Sequence, residues 1–123
     1  MKIAITANGK GLEAQVDPRF GRCANFLVVE TDTLDFEVIE NTNASVGGGA
    51  GIQSAQRMAD LDVKAVLTGN CGPNAFRTLE AAGIEVVTGV GGTVQEAVDQ
   101  HKAGSLTPDQ SPNVGSHFGT KGS

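Results

Sequence analysis

The chain has 123 residues, a formal net charge of −5 and 39% apolar residues, which suits one domain with a modest aliphatic core. Binding to nucleic acids depends on neutralising phosphates, so an acidic chain of this kind is not expected to bind them. No apolar run approaches the roughly 18 residues of a membrane span, and two cysteines without a secretion signal argue against a disulfide scaffold. These features predict a cytoplasmic protein that binds neither nucleic acid nor membranes.

The first part of the sequence predicts three strands and two long loops. The apolar run 2–7 is typical of a buried central strand and is too short for a signal peptide. A loop over 8–24 follows it. Residues 26–31 and 34–40 then predict a hairpin that turns at Asp32 and Thr33. Residues 41–51 predict a Gly-rich loop.

The second part alternates helices and strands. Helices are predicted over 52–60, 73–82 and 93–103, and strands over 63–68 and 84–88. Pro73 suits a first helical position, and Thr93 followed by Glu96 has the spacing of a capping box. The order βββαβαβα predicts an α/β fold, a five-stranded mixed sheet with flanking helices. We expect one domain over 1–103 and a mobile tail over 104–123.

Alternate connections of such a chain lie at one edge of the sheet, beyond the carboxyl ends of the parallel strands, where α/β proteins bind ligands. Three of the connections at this edge are Gly-rich and lead into helix N-termini, whose unsatisfied N–H groups attract anions. The alternative is that the glycines only form tight turns. The candidate binding residues in these connections are Gly48, Gly49, Gly69, Asn70, Gly72, Asn74, Gly91 and Gly92.

Two arginines and both cysteines belong to the same edge. Arg19 and Arg22 can neutralise an anion, and they would also favour the thiolate of Cys23. Cys71, just before a predicted helix, would ionise readily for the same electrostatic reason. Thiolates bind metals, but both cysteines could equally be small buried residues or a redox pair. A zinc site formed with His101 and His117 has only the number of ligands in its favour.

The sequence lacks the motifs expected of an enzyme. The sequence has no Walker loop, no GxGxxG after the first strand and no evident Ser-His-Asp arrangement. The first strand carries no carboxylate, which argues against a two-metal nuclease. Asp17 is the nearest carboxylate to the candidate edge, and its neighbour Arg19 predicts a plain surface ion pair. We therefore expect a binding protein with no catalytic activity.

Three segments together resemble one protein family. They are KIAITA at 2–7, DPRFGRC at 17–23 and TGNCGPNAF at 68–76. This combination is similar to the dinitrogenase iron–molybdenum cofactor biosynthesis family, which includes NifX, the C-terminal part of NifB, part of NafY and small stand-alone proteins. The resemblance covers residues 2–103. It implies a ribonuclease H-like topology and a carrier for an anionic metal–sulfur cluster of the Fe–Mo, Fe–S or Mo–Cu type.

The resemblance also implies site residues and partners. The matching positions are Arg19, Phe20, Gly21, Arg22, Gly69, Asn70, Gly72, Pro73 and Asn74. Cys71 stands where many members have an apolar residue, so thiolate ligation by Cys23 and Cys71 is not implied. The expected partners are proteins that donate or accept the cluster. Two alternatives stay open: a module that docks to a cluster-assembly ATPase without a ligand of its own, and a Cys23/Cys71 redox switch.

Overall fold

The computed structural model describes residues 1–41 and 50–112, and these form five strands and three helices. In chain order the elements are β1 (Lys2–Ala7), β2 (Asn25–Glu30), β3 (Phe36–Glu40), α1 (Ala50–Asp60), β4 (Ala65–Leu67), α2 (Pro73–Ala81), β5 (Glu85–Val87) and α3 (Val94–Lys102). The predicted α/β class with a five-stranded mixed sheet is confirmed. Within the described ranges, no helix is both long and apolar enough to cross a bilayer.

The sheet has the strand order β3-β2-β1-β4-β5, with β1 at its centre. β2 runs antiparallel to both of its neighbours, whereas β4 and β5 run parallel to β1. The carboxyl ends of β1, β4 and β5 therefore share one edge. The connections that leave these ends form what we call the rim, which consists of residues 15–23, 68–74 and 88–93.

Helices cover both faces of the sheet. α1 and α2 pack on one face over a cluster that includes Ala4 and Val66, and α3 packs on the other over Ile3, Ile5 and Leu67. Successive strand residues point to opposite faces, so a strand covered on both sides is apolar throughout. This is why β1 is buried from Ile3 onward and shows no alternation of polar residues. Each large aliphatic side chain buried in this way contributes about 1.5–3 kcal/mol.

The hairpin differs from its prediction. Strand β3 begins at Phe36 and not at residue 34, because Leu34 has a φ of 65°, which a strand cannot continue. The Leu34 N–H donates to the Glu30 carbonyl at 2.8 Å and closes the turn. The connection is therefore longer than the Asp32-Thr33 turn that the sequence predicts. On this outer strand Phe36 stays 40% exposed.

Other boundaries agree within one or two residues. The capping box at α3 is confirmed, since Thr93 accepts from the Glu96 N–H at 3.1 Å and the Glu96 carboxylate accepts from the Thr93 N–H at 2.9 Å. Residues 42–49, most of the predicted Gly-rich loop, lie outside the described residues. In the predicted tail, Leu106 packs against the α3-side cluster. The mobility of that tail stays a prediction.

Candidate functional site at the rim

Residues 17–23, which we call the FGR segment after Phe20-Gly21-Arg22, are fixed to the end of β1. The Asp17 N–H donates to the Thr6 carbonyl at 2.8 Å, and the Thr6 hydroxyl donates to the Asp17 carbonyl at 2.6 Å. The hydroxyl of Thr68 lies 2.9 Å from that of Thr6. Because Thr6 gives its one hydroxyl hydrogen to Asp17, Thr68 must donate to Thr6. A buried chain of hydrogen bonds thus joins the ends of β1 and β4 to the rim.

The FGR segment lies directly beside the loop that follows β4. The Phe20 N–H donates to the Asn70 carbonyl at 3.1 Å, and the Asn70 side-chain amide donates to the Pro18 carbonyl at 3.0 Å. A Cβ at Gly69 would lie 2.6 Å from the Cα of Pro18, so only glycine permits this approach. The two motif segments therefore meet at the rim, as the alternation of elements predicts.

The loop after β5 joins them. The Gly89 N–H donates to the Gly69 carbonyl at 2.9 Å, and the Val16 N–H donates to the Gly92 carbonyl at 2.9 Å. Gly92 has a φ of 77°, and a Cβ there would lie 2.6 Å from a Glu96 carboxylate oxygen. Its glycine is thus explained by the turn into α3. Gly91 is exposed, and a Cβ on it would meet no described atom within 4 Å.

The two helices that start at the rim have different N-termini. The capping box closes that of α3, so its N–H groups are already satisfied. At α2 the N-cap is Gly72 in an extended conformation, and no side chain of the described residues caps it. A Cβ at Gly72 would meet no described atom within 4 Å. Of the two, α2 is the helix whose N-terminus the described residues leave open to an anion.

The arginines of the FGR segment lie at the surface, but the carboxylate beside them does not. The side chain of Arg19 is 58% exposed and that of Asp17 only 5%, and Arg22 is exposed. Asp17 accepts from the backbone N–H of Arg19 at 3.0 Å and from its Nε at 3.3 Å. The prediction of a plain surface pair is therefore wrong for Asp17, which is a buried group that orients Arg19.

Both thiols are buried and neutral. Burial raises the pKa of Cys23 to about 12, with a smaller contribution from the charge of Asp17. Burial likewise raises the pKa of Cys71 to about 12, with Asp109 adding to it. The expectation that nearby positive charge would favour the thiolates is wrong, because desolvation and a neighbouring carboxylate raise the pKa of each thiol. Both cysteines are unbridged, and their use as a redox switch stays a prediction.

A conventional metal site is not formed by the part of the chain that the structure describes. Among residues 1–41 and 50–112, no group of three His, Cys, Asp or Glu side chains is arranged to hold a metal ion. His117, one of the four counted as zinc ligands, lies outside these ranges, as do Gly48 and Gly49. The donors that the rim does offer are guanidinium and backbone N–H groups, which suit anions.

Two further residues hold the rim together. Phe20 is 8% exposed and packs against Phe26 with ring centroids 5.6 Å apart, so it anchors the FGR segment in the core. The sequence gives no sign of a role for Asn41, because an asparagine after a strand is typical of any turn. Its side-chain amide donates to the carbonyls of Gly21 at 3.0 Å and Cys23 at 2.9 Å.

Asn74, a predicted binding residue, is exposed, and its side chain accepts from Arg77 at 3.1 Å.

Comparison with known proteins connects this rim to a family. A family model described as dinitrogenase iron-molybdenum cofactor matches residues 1–104. The chain belongs to this family. The resemblance that three short segments indicated is therefore confirmed.

Several relatives are similar over nearly the whole chain. The apo form of the orange protein from Desulfovibrio gigas is 42% identical, with a TM-score of 0.89 over 92% of this chain and 96% of that one. A putative NifB protein from Thermotoga is 39% identical, with a TM-score of 0.76 over 87% of this chain and 91% of that one. An uncharacterized protein of Methanocaldococcus jannaschii is 32% identical over 109 residues, which is 86% of this chain and 89% of that protein.

Proposed function

We propose that this protein binds and carries an anionic metal–sulfur cluster at the rim, in the biosynthesis or trafficking of a cofactor of the Fe–Mo, Fe–S or Mo–Cu type. The observation that carries the proposal is the contact between the FGR segment and the loop that opens α2. This contact brings the exposed Arg19 and Arg22 to the same rim as an N-terminus with room for an anion. Family membership supports the same cargo.

The donors favour a cluster that is held without thiolate bonds. Guanidinium and backbone N–H groups form charge-assisted hydrogen bonds to anions, and the dipole of α2 adds to this attraction. Cys23 and Cys71 would first have to be exposed and ionised, which their raised pKa values oppose. The small residue at Gly72 leaves space for a ligand to approach the backbone.

We also propose that the protein has no catalytic role. The Asp17 carboxylate at the rim is engaged by Arg19, and the thiols are neutral, so no free base or nucleophile is assigned there. Its partners are then the proteins that donate the cluster or accept it. We assign the strand order β3-β2-β1-β4-β5, with β2 antiparallel, to the ribonuclease H-like topology.

Anaerobic reconstitution tests the proposal. Wild-type protein incubated with sulfide and with iron, or with molybdate and copper, should yield a stoichiometric chromophore that survives desalting. The Arg19→Gln/Arg22→Gln variant should lose most of it. The control variant Lys2→Gln/Lys64→Gln removes the same charge at the opposite edge, where Lys64 pairs with Asp62, and should behave as wild type. A colourless wild type, or equal loss in both variants, would contradict the proposal.

A further inference from the structure

A strap formed by residues 105–112 follows α3 and lies beyond residues 1–104, which the family model matches. Leu106 packs with the α3-side cluster, whereas Pro108 and Asp109 line a cavity with Phe76 of α2. The strap therefore crosses the outer edge of β5 from one face of the sheet to the other. The Asp109 N–H donates to the Val86 carbonyl at 2.7 Å, so the strap satisfies part of this otherwise open edge.

The carboxylate of Asp109 reaches the rim. Thr88, the first residue after β5, donates its N–H to Oδ1 of Asp109 at 3.2 Å and its hydroxyl to Oδ2. The charge of the same carboxylate adds to burial in raising the pKa of the Cys71 thiol. Cys71 immediately precedes Gly72, the N-cap of α2. An internal anion is thus already bound to Thr88, a residue of the rim.

A gap separates part of the strap from α2. A cavity of about 220 Å³ lies between the strap and α2, lined by Pro108 and Asp109 on one side and by Phe76 and Glu80 on the other. Among the described residues, Asp109 of this part of the strap is held by its hydrogen bonds to Val86 and Thr88, which release of the strap would have to break. Leu106 provides an apolar anchor at its base.

We propose that the strap is an autoinhibitory latch whose Asp109 carboxylate must leave Thr88 when an anionic ligand binds the rim. The proposal rests on the function proposed above. Two anions at the same rim repel each other, and departure of the carboxylate frees the N–H and hydroxyl of Thr88 to serve as additional donors. Release breaks the bonds to Val86 and Thr88, while Leu106 keeps the strap attached to the domain.

Hydrogen–deuterium exchange with tetrathiomolybdate, a soluble molybdenum–sulfur anion, tests the latch in the wild-type protein. We expect slower exchange over 69–76, where the anion binds, and faster exchange over 105–112, where the strap is released. Slower exchange over 69–76 with an unchanged strap would overturn the latch and leave the carrier function standing. No change in either segment, in wild type and in Asp109→Asn alike, would overturn both.

A charge variant provides an independent measurement. Asp109→Asn keeps the shape of the side chain and removes its charge, so it should bind tetrathiomolybdate more tightly, by roughly fivefold or more. Asp35→Asn makes the same change at an exposed position in the β2–β3 turn at the opposite edge, and its affinity should equal that of wild type. Equilibrium dialysis followed by absorbance gives both affinities. Equal affinities of the two variants would overturn the latch.

Discussion

Single residues decide how closely the rim is packed, and Gly69 is the clearest case. The residue has no Cβ, and the Cα of Pro18 occupies the space that one would need. The close approach lets the Asn70 amide reach the Pro18 carbonyl and lets Phe20 pair with Asn70. The closeness of the two motif segments therefore depends on the side chain that residue 69 lacks.

Replacement of this glycine should separate the segments. Gly69→Ala forces the loop away from Pro18 and should lower the free energy of unfolding by about 1–3 kcal/mol. Gly91→Ala is the matched control, since its Cβ would meet no described atom within 4 Å, and should change stability by less than about 0.5 kcal/mol. Urea denaturation measures both. Similar losses in the two variants would show that contact with Pro18 does not hold the rim.

The residue scale is also where sequence reasoning reaches its limit. The positions of Arg19 and Arg22 are evident from the sequence, but the state of Cys23 depends on burial, which neighbouring charges do not reveal. The role of Asn41 depends on carbonyls some 20 residues away along the chain. No local pattern distinguishes it from an ordinary turn asparagine, because its partners are set by the tertiary fold.

Among the elements, the contrast between α2 and α3 is the most informative. The N-terminus of α3 is closed by a capping box that Thr93 and Glu96 form. α2 begins with Gly72 and Pro73, a start that forgoes the stabilisation a Ser, Thr or Asp N-cap supplies. The uncapped N-terminus of α2 lies at a rim with two exposed arginines, which is the arrangement expected of an anion-binding site.

This contrast predicts opposite effects on stability and binding. Gly72→Asp adds an N-cap and a favourable charge at the positive end of α2, so it should raise the unfolding free energy by about 0.3–1 kcal/mol. The same carboxylate should abolish binding of tetrathiomolybdate, because it occupies the anion position. Thermal denaturation and equilibrium dialysis give the two quantities. A variant that is more stable and still binds as wild type would exclude the N-terminus of α2 from the site.

The elements themselves were largely predictable. Apolar runs and capping patterns located β1, α2 and α3 within one or two residues. The sequence predicts too short a connection between β2 and β3, because nothing in a leucine indicates the left-handed conformation of Leu34. The sequence predicts strand from residue 63, whereas β4 begins at Ala65, although the backbone of Lys64 already bonds to Lys2 at 2.8 Å and to Glu85 at 3.0 Å.

At the scale of the whole molecule, the rim follows from chain order alone. A chain that returns after each upward strand sends every second connection to the same edge, which is why the three separated rim segments meet. The packing of residues 105–112 did not follow, because the contacts of Leu106 and Asp109 come from a segment with little apolar pattern of its own. The order of the helices and strands can be predicted from the sequence, whereas the attachment of the polar strap 105–112 cannot.

The central claim is that the rim holds its cluster as an anion and not through thiolates. Its most direct test is anaerobic reconstitution of Cys23→Ala/Cys71→Ala beside Arg19→Gln/Arg22→Gln, with circular dichroism to confirm that both are folded. The account predicts that the protein without thiols keeps a stoichiometric chromophore and that the protein without the two arginines does not. A colourless cysteine variant beside a coloured arginine variant would contradict it.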